Sequence, residues 1–442
     1  MTKYIINGGR VLRGDVMISG SKNAVLPILS ATIINRGITT LTNCPDISDV
    51  RVTMDILENL GCKVCLTKNE FGNTIQVDAT NVTSSTINAD KACKCRSSVT
   101  FLGALTARLR EANVAYPGGC TIGERPIDIH ENALSDMGIN TFRGDNFIKT
   151  QLPFTCRGEA CTRNIYLKFP SVGATENSLM AAAGLADTVN IYGAATEPEI
   201  ICLGNYLKEL GAHIEGLGTG HIKVKGQLLY NKENVAFNII PDRIEAATYL
   251  ILAAGAGEKM KIHSTVAEHC KETVNVLKHM GCVFKEHKYT CGEQKLSVIE
   301  LKEGACKKRL NSPGIVVADA YPAFPTDAQS LLLPLLSVAE GETYVVDKIF
   351  PKRFNAAYEL VKAGADIRRT AFGIKICGKK SLKGCDLMSH DLRGGAAMVI
   401  AGVLANGQTC VFDDDFIKRG YDNLPGKLRA LGASITECQN LS

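Results

Sequence analysis

Apolar and polar positions repeat along the chain in a pattern that ends in glycine: an apolar residue, two variable residues, a second apolar residue, then Gly. The pattern occurs six times, and successive glycines are 68 to 83 residues apart. A glycine after the last apolar position of a helix is typical of a left-handed C-cap. We therefore predict six helices that end at Gly61, Gly138, Gly211, Gly281, Gly364 and Gly432.

Each repeat also contains a second helical segment, which is rich in alanine and leucine and apolar on nearly all sides. Helices of this kind are buried inside a domain. Each segment is followed by a turn and by a run of β-branched and aromatic residues, which predicts a strand. The six segments begin near Lys22, Arg96, Ala174, Asp242, Asp327 and Arg393.

The repeats are longer than those of solenoid proteins, so each is expected to form a small α/β module. A chain of 442 residues exceeds what one hydrophobic core supports. Three modules per domain predict two similar domains, with the apolar helices inside and the other helices and the sheets around them. We place the boundary near Leu228–Val235. The strand within Met1–Gly20 is expected to pair with the C-terminal domain, so that the chain crosses between domains twice.

Composition narrows the class of function. Apolar residues make up 45% and charged residues 21%, the net charge is +5, and no dense Lys/Arg block suggests nucleic-acid binding. The 17 cysteines occur without a signal-peptide pattern or a run of 18 apolar residues. This favours a reducing, cytoplasmic location without membrane insertion. Cys62-x-x-Cys65 and Cys93-x-Cys95 match no zinc-binding spacing, so no metal is expected.

The most unusual stretch is Tyr116–His130, in which Gly118, Gly119 and Gly123 surround Cys120. Glycines at this density disfavour regular structure and suit a surface loop that lets a ligand approach the backbone. Arg125 follows five residues after the cysteine, and a nearby guanidinium favours the thiolate. The segment is either a turn that happens to contain a cysteine or a reactive loop.

Charged and hydroxyl residues collect where the apolar helices begin. A helix N-terminus presents free N–H groups and the positive end of the helix dipole, which together bind anions. Taken singly, such residues are solvated side chains or N-caps, but their recurrence in all six repeats favours a cationic cleft for phosphates and carboxylates. Its expected cations are Lys22, Arg96, Arg125, Arg243, Arg393 and Arg419.

Six motifs identify a family. They are Ser19-Gly-Ser-Lys-Asn23, Pro117-Gly-Gly-Cys-Thr-Ile-Gly123 with Arg125-Pro126, Pro170-Ser-Val-Gly-Ala-Thr175, Pro241-Asp-Arg-Ile-Glu245, Tyr321-Pro-Ala-Phe-Pro-Thr-Asp327 and Arg419-Gly-Tyr421. With them the whole chain resembles the UDP-N-acetylglucosamine 1-carboxyvinyltransferases. The resemblance implies two inside-out, barrel-like α/β domains, each of three βαβαββ-type units. One domain would comprise 1–21 and 233–442, with Asp327, Arg393 and Arg419, and the other 22–232, with the Cys120 loop.

The family transfers the enolpyruvyl group of phosphoenolpyruvate to the 3-hydroxyl of UDP-N-acetylglucosamine, the first committed step of peptidoglycan synthesis, and needs no cofactor. The catalytic residues that the resemblance implies are Cys120, Asp327, Lys22 and Arg419. Those implied for phosphoenolpyruvate binding are Lys22, Asn23, Arg125, Arg393 and Arg419. Those implied for UDP-N-acetylglucosamine binding are Asn23, Arg96, Arg125, Pro126, Ile127, Asp128, Ile129, Ser171, Val172, Gly173, Asp327 and Ile349.

The implied mechanism is addition followed by elimination through a phospho-ketal. Asp327 accepts or relays the proton of the sugar 3-hydroxyl, and Cys120 protonates C3 of phosphoenolpyruvate. The cysteine of the family also forms a covalent adduct with phosphoenolpyruvate, as a nucleophilic thiol can. The loop 116–130 would close as a lid over the bound sugar nucleotide.

Several positions depart from the family pattern. The family's Phe-Glu-Asn-Arg-Phe is Phe350-Pro-Lys-Arg-Phe354 here, and Lys418 replaces an aspartate. Three alternatives stay open: an acceptor such as shikimate 3-phosphate, another nucleotide acceptor, or a weakly active paralogue that binds UDP-sugar, of which only the last rests on Pro351 and Lys418. Lys94-Cys-Arg-Ser-Ser98 stands where a shikimate 3-phosphate enzyme has Gly-Asn-Ala-Gly-Thr, which argues against the first.

Fosfomycin, an epoxide phosphonate, alkylates the family's cysteine, so we expect it to label Cys120 and to abolish turnover. Cys120→Asp should resist the compound and keep activity, because a carboxylic acid can also donate the proton to C3. Mass spectrometry of the treated protein checks the labelled position. Modification at another cysteine, or none, would contradict the role given to Cys120.

Overall fold

The structure is a computed structural model, and it describes residues 1–69, 72–118, 127–153, 161–227, 230–292 and 294–439. Its contacts divide the chain into two compact units. Among the described residues, the middle unit comprises those between Gly20 and Gly118 and between Ile127 and Ile240, and the C-terminal unit combines Met1–Ser19 with those from Pro241 to Gln439.

Strands and helices are numbered in chain order. The described strands are β1 (Thr2–Asn7), β2 (Asp15–Met17), β3 (Ile38–Cys44), β4 (Lys63–Asn69), β5 (Gly72–Asp78), β6 (Thr86–Ile87), β7 (Glu111–Ala115), β8 (Asn140–Arg143), β9 (Phe147–Gln151), β10 (Thr162–Tyr166), β11 (Thr188–Tyr192), β12 (His213–Glu215), β13 (His221–Lys225), β14 (Asn234–Asn238), β15 (Lys261–Thr265), β16 (Val283–Cys291), β17 (Gln294–Glu303), β18 (Ile315–Ala318), β19 (Glu342–Asp347), β20 (Asp366–Arg369), β21 (Ile374–Cys377), β22 (Asp386–Met388), β23 (Gln408–Asp413) and β24 (Ser434–Gln439).

The described α-helices are α1 (Lys22–Ala31), α2 (Ser48–Asn59), α3 (Ala89–Ala92), α4 (Phe101–Leu109), α5 (Asp128–Asp136), α6 (Val172–Ala183), α7 (Pro198–Leu210), α8 (Arg243–Ala256), α9 (Lys271–His279), α10 (Thr326–Leu336), α11 (Asn355–Lys362), α12 (Leu392–Leu404) and α13 (Leu424–Ala430). A 3₁₀-helix, Arg96–Thr100, leads into α4. Among these described helices, none is both long and apolar enough to cross a membrane.

The described strands form six four-stranded sheets with one shared topology. In each, the strand that follows an apolar helix has a parallel neighbour on one side and two strands in antiparallel pairing on the other. The middle unit holds β14-β3-β5-β4, β6-β7-β9-β8 and β10-β11-β13-β12, and the C-terminal unit holds β2-β15-β17-β16, β18-β19-β21-β20 and β22-β23-β1-β24. The repeated module predicted from the glycine pattern is confirmed.

Segments distant in sequence complete both units. β1 lies between β23 and β24, with Tyr4 opposite Val411 and Glu437, so the predicted pairing of the N-terminal strand is confirmed. In the middle unit, β14 pairs with β3 and completes its sheet. The sequence-based domain 233–442 therefore begins too early, because β14 belongs to the other unit. The observed divisions follow Ser19 and Ile240.

The apolar helices occupy the core of each unit. In the middle unit α4 packs against α1 and α6, and in the C-terminal unit α8, α10 and α12 pack against one another. Every residue of α12 from Arg393 to Val403 is buried. Close packing depends on small residues, since a Cβ at Gly103 of α4 would lie 2.4 Å from the carbonyl oxygen of Asn177 in α6.

The six glycines of the repeated pattern all follow outer helices and all have positive φ, between 75° and 118°. This conformation is costly for residues with a Cβ. The predicted left-handed helix ends are confirmed, and they direct the chain from each outer helix into the next strand.

We predict that Gly364→Ala lowers the free energy of unfolding by about 1–2 kcal/mol, the cost of a left-handed alanine. Gly364 has a φ of 90°, and an added Cβ would meet nothing within 4 Å. The expected loss of stability therefore comes from backbone strain alone. Gly220→Ala is the matched control, because Gly220 also faces open space but lacks a positive φ. Urea denaturation measures both; equal stability of the two variants would contradict the prediction.

Candidate active site

Lys22 and Asn23 begin α1 in the middle unit. The Lys22 ammonium lies 2.9 Å from a carboxylate oxygen of Asp49, a buried residue in the first turn of α2. The chain before Lys22 is held by a hydrogen bond of 2.7 Å from the Ser21 N–H to the carbonyl of Ile240. Asp49 therefore holds the Lys22 ammonium at the start of α1, where the charge of the lysine adds to the positive end of the helix dipole.

The starts of α5 and α6 lie together and contain six of the predicted sugar-nucleotide residues. Ile127, Asp128 and Ile129 begin α5, while Ser171, Val172 and Gly173 begin α6. Ser171 caps α6, because its hydroxyl accepts a hydrogen bond of 3.3 Å from the Ala174 N–H. The two helices pack against each other.

His130 joins these two helix starts, and the sequence did not single it out. The Asn177 amide nitrogen lies 2.8 Å from His130 Nδ1, and a Cβ at Gly173 would be 3.0 Å from its Cε1. Asn177 also binds the Val99 carbonyl and the Gly103 N–H. Burial, reinforced by the nearby charge of Arg96, lowers the pKa of His130 to about 4. The histidine is therefore a neutral packing element beneath the site.

Cys120, Arg125 and Pro126 lie outside the described residues, so their predicted roles stay predictions. The start of their loop is anchored. The Tyr116 hydroxyl donates to the Gly144 carbonyl at 3.2 Å, and the Gly118 N–H donates to the Ala92 carbonyl at 3.1 Å. A Cβ at Gly118 would lie 1.7 Å from the Cys93 carbonyl oxygen, so this position requires glycine.

In the C-terminal unit, Asp327 lies in the first turn of α10 and contacts two arginines. Its Oδ1 is 2.8 Å from Arg353 Nη1, and its Oδ2 is 3.5 Å from Arg393 Nη2. Both guanidinium groups are buried, Arg393 to 1% exposure and Arg353 to 5%. The structure thus brings the predicted Asp327 and Arg393 together, and adds Arg353, which the sequence showed only as part of a divergent motif.

Arg393 stays charged despite its burial. Burial disfavours its charged form, but the neighbouring Tyr421 and the carboxylates of Asp327 and Asp242 raise the pKa of Arg393 overall. Its guanidinium also lies 5.2 Å from the centre of the Tyr421 ring. Within the described part of the chain, Nε and Nη1 of Arg393 are buried without a hydrogen-bond partner. Such donors suit an oxyanion.

Asp347 links Ile349 to the start of α10. This buried carboxylate accepts hydrogen bonds of 2.9 Å from the Ile349 N–H and 2.6 Å from the Thr326 hydroxyl. Burial raises the pKa of Asp347, which these hydrogen bonds and Arg353 partly oppose. Arg419 ends a 3₁₀-helix, Ile417–Arg419, two residues before Tyr421. Ile349 is thus linked through Asp347 to the start of α10, and Arg419 precedes by two residues the tyrosine that contacts Arg393.

The residues that depart from the family pattern take no part in the contacts described above for Asp327 and Arg393. Pro351 and Lys352 are exposed, whereas Arg353 and Phe354 are buried. Lys418 forms ion pairs with Glu437 at 2.9 Å and Asp415 at 3.3 Å. Its positive charge is therefore compensated within its own unit.

We predict that lowering the pH from 7 to 5 reduces the free energy of unfolding by about 2 kcal/mol because of His130. The folded-state pKa of His130 is about 4, below its unfolded value, so only the unfolded chain gains a proton in this range. The stability is present above the unfolded pKa and is lost as the pH falls toward 4.

Denaturation of His130→Asn at several pH values should show a smaller loss of stability than the wild type. His213→Asn, which replaces an exposed histidine of the same unit, supplies the control. An unchanged pH dependence in His130→Asn would refute the assignment.

Comparison with known proteins gives consistent relatives over the full chain. A sequence model of the EPSP synthase family (3-phosphoshikimate 1-carboxyvinyltransferase) matches residues 6–428. UDP-N-acetylglucosamine 1-carboxyvinyltransferase 2 of Caldanaerobacter subterraneus subsp. tengcongensis is 40% identical over 438 residues, covering 98% of this chain and 99% of the relative. UDP-N-acetylglucosamine 1-carboxyvinyltransferase 1 of Carboxydothermus hydrogenoformans is 38% identical over 435 residues, 98% of each chain.

Solved structures show the same fold. The enolpyruvyl transferase NikO from Streptomyces tendae superposes with a TM-score of 0.84 at 23% identity and covers 99% of both chains. EPSP synthase from Acinetobacter baumannii has a TM-score of 0.73 at 17% identity, with 99% of this chain and 100% of that one covered. The fold class expected from the sequence is confirmed. Because the two relatives are 40% and 38% identical over 98% of this chain, the chain belongs to the UDP-N-acetylglucosamine 1-carboxyvinyltransferase family, within the enolpyruvyl transferases.

Proposed function

We propose that the protein transfers the enolpyruvyl group of phosphoenolpyruvate to the 3-hydroxyl of UDP-N-acetylglucosamine and releases phosphate, the first committed step of peptidoglycan synthesis. The observation that carries the proposal is the Asp327 carboxylate held between two buried guanidinium groups at a helix start. This arrangement combines a fixed proton acceptor with donors for an anionic substrate. Relatives that carry this activity in their names match the chain over nearly its full length.

In the addition step, the sugar O3 attacks C2 of phosphoenolpyruvate as its proton passes to Asp327. C3 receives a proton from Cys120, so that the C2–C3 double bond becomes single and a phospho-ketal forms. Lys22, Arg125, Arg393 and Arg419 balance the charge of the phosphate and carboxylate groups. Fixed cations in a poorly hydrated site stabilise such charge more strongly than water does.

In the elimination step, the Cys120 thiolate left by the addition takes a proton from C3, and the bond from C2 to the phosphate oxygen breaks as the proton held by Asp327 passes to the leaving phosphate. The electron pair of the C3–H bond forms the new C2–C3 double bond, and phosphate leaves with the electrons of the C–O bond. The products are the enolpyruvyl ether and inorganic phosphate.

The name of the relative that matches 98% of this chain favours UDP-N-acetylglucosamine over the other acceptors. We propose that the starts of α5 and α6, with Arg96 and Asn23, bind the sugar nucleotide in the middle unit. The presence of Cys120, Asp327 and Lys22 together argues against a paralogue that only binds UDP-sugar, since a pure binder would not need all three.

The proposal includes a cytoplasmic location and a role in cell-wall synthesis, and so in cell shape and division. Each cysteine in the described ranges is a free thiol, as expected in a reducing compartment. No group of three or more His, Cys, Asp or Glu side chains in those ranges is placed to bind a metal ion. As the resemblance to the family implies, the reaction is proposed to need no cofactor.

We expect phosphate release from phosphoenolpyruvate with UDP-N-acetylglucosamine, and none with shikimate 3-phosphate or without an acceptor. A colorimetric phosphate assay measures the three rates, and mass spectrometry of the sugar nucleotide identifies the enolpyruvyl ether. Release with shikimate 3-phosphate alone would overturn the proposed acceptor. Tight binding of the UDP-sugar without phosphate release would identify a binding protein instead.

A further inference from the structure

Arg419 is the last residue of the 3₁₀-helix Ile417–Arg419, which follows β23 in the C-terminal unit. This short helix packs closely against the start of α12. A Cβ added at Gly395 of α12 would lie 2.9 Å from Cγ1 of Ile417, so a larger residue there would disturb the contact. The turn that carries Arg419 is therefore supported by the helix that carries Arg393.

Lys418 connects the same turn to two strands. Its ammonium lies 2.9 Å from a carboxylate oxygen of Glu437 in β24 and 3.3 Å from the hydroxyl oxygen of Thr2 in β1. The ammonium also lies 3.3 Å from Asp415, three residues earlier, and Thr2 donates a hydrogen bond of 2.9 Å to that carboxylate. We call these four residues, Thr2, Asp415, Lys418 and Glu437, the Lys418 cluster.

The chain between β23 and the 3₁₀-helix depends on such contacts. Asp415 has a φ of 59°, a left-handed conformation that is unfavourable for a residue with a Cβ. Asp413, the last residue of β23, accepts a hydrogen bond of 3.2 Å from the Ile417 N–H. Side chains thus hold the turn both before and within the 3₁₀-helix, and the direction in which Arg419 leaves the backbone depends on them.

The charges within the Lys418 cluster are matched to a lysine. Burial disfavours the charged ammonium, but Glu437 and Asp415 raise the pKa of Lys418 above its ordinary value. The aspartate that the family has at this position would instead face two carboxylates, and like charges at such distances repel. The lysine of this chain therefore suits the acidic residues around it.

We infer that Lys418 is a positioning residue for phosphoenolpyruvate binding: its ion pairs hold the 3₁₀-helix in the place from which Arg419 binds the anionic substrate. The inference rests on the proposed function in that Arg419 binds phosphoenolpyruvate. Lys418 acts through the protein, because its ammonium is held by Thr2, Asp415 and Glu437. The departure from the family pattern at this position is then part of a working site.

The test compares Lys418→Met, Lys418→Asp, Glu437→Lys and the Lys418→Asp/Glu437→Lys double variant with wild type. Lys418→Met removes the charge, Lys418→Asp installs the family residue, and the double variant exchanges the two charges of the closest pair. Steady-state phosphate release gives kcat and the KM for each substrate, and thermal denaturation shows that each variant is folded.

Lys379→Asp is the matched control. Lys379 pairs with Asp366 at 3.0 Å in the same unit, and its side chain is 49% exposed, compared with 36% for Lys418. Its N–H donates a hydrogen bond of 2.8 Å to the carbonyl of Ser337, the C-cap of α10, whereas the proposed reaction uses the first turn of that helix. Lys379→Asp should leave both KM values unchanged.

We expect Lys418→Met to raise the KM for phosphoenolpyruvate about fivefold, the contribution of a half-exposed ion pair, and to leave the KM for the UDP-sugar unchanged. Lys418→Asp should raise it about 25-fold, because repulsion replaces attraction. The double variant should recover most of this loss, since the pair is restored with its charges exchanged. High salt should narrow the difference between Lys418→Asp and wild type, because exposed charges are screened.

A double variant no better than Lys418→Asp would overturn the inference, and so would equal increases in both KM values. Crystal structures of unliganded Lys418→Met, Lys418→Asp and the double variant give a readout that needs no turnover. The 3₁₀-helix should be displaced in Lys418→Asp and return in the double variant. An unmoved 3₁₀-helix in both single variants would refute the positioning role, whereas a displaced one in a protein whose wild type releases no phosphate would refute only the proposed function.

Discussion

Each unit depends on three apolar helices buried against one another. A helix that is apolar on nearly all sides is stable only when other elements cover it completely, and each unit meets this need with three sheets and the outer helices. The small residues of the inner helices set their separation, as the close approach of Gly103 and Asn177 shows. Because the inner helices have no exposed face, polar chemistry can collect only at their ends.

This constraint explains why charged groups lie at the first turns. A helix start leaves backbone N–H groups without partners, and side chains supply them. Asp391 accepts from the N–H groups of Arg393 and Gly394, and Asp242 accepts from Ile244 and Glu245. The same first turns hold Lys22, Arg393 and Asp327. Capping and the proposed chemistry therefore use the same short segments.

The buried charges form connected sets. Asp327 lies between Arg353 and Arg393, and Tyr421 contacts Arg393 while its hydroxyl lies 2.8 Å from that of Thr248. Removing one member leaves an uncompensated buried charge, which costs more than the pair contributes. Such a set is held in one arrangement, which suits a site where charge must be balanced before and during reaction.

The sequence by itself determined the helix ends, the apolar inner helices, the repeated module and, through its motifs, the family. These features are local: the turn glycines need positive φ, and the apolar periodicity lies within one element. Only the tertiary structure decided that β14 completes the sheet of β3, that His130 packs beneath Gly173, and that Arg353 holds Asp327. Such contacts join residues far apart in the chain, whose proximity depends on how whole modules pack rather than on the residues' own pattern.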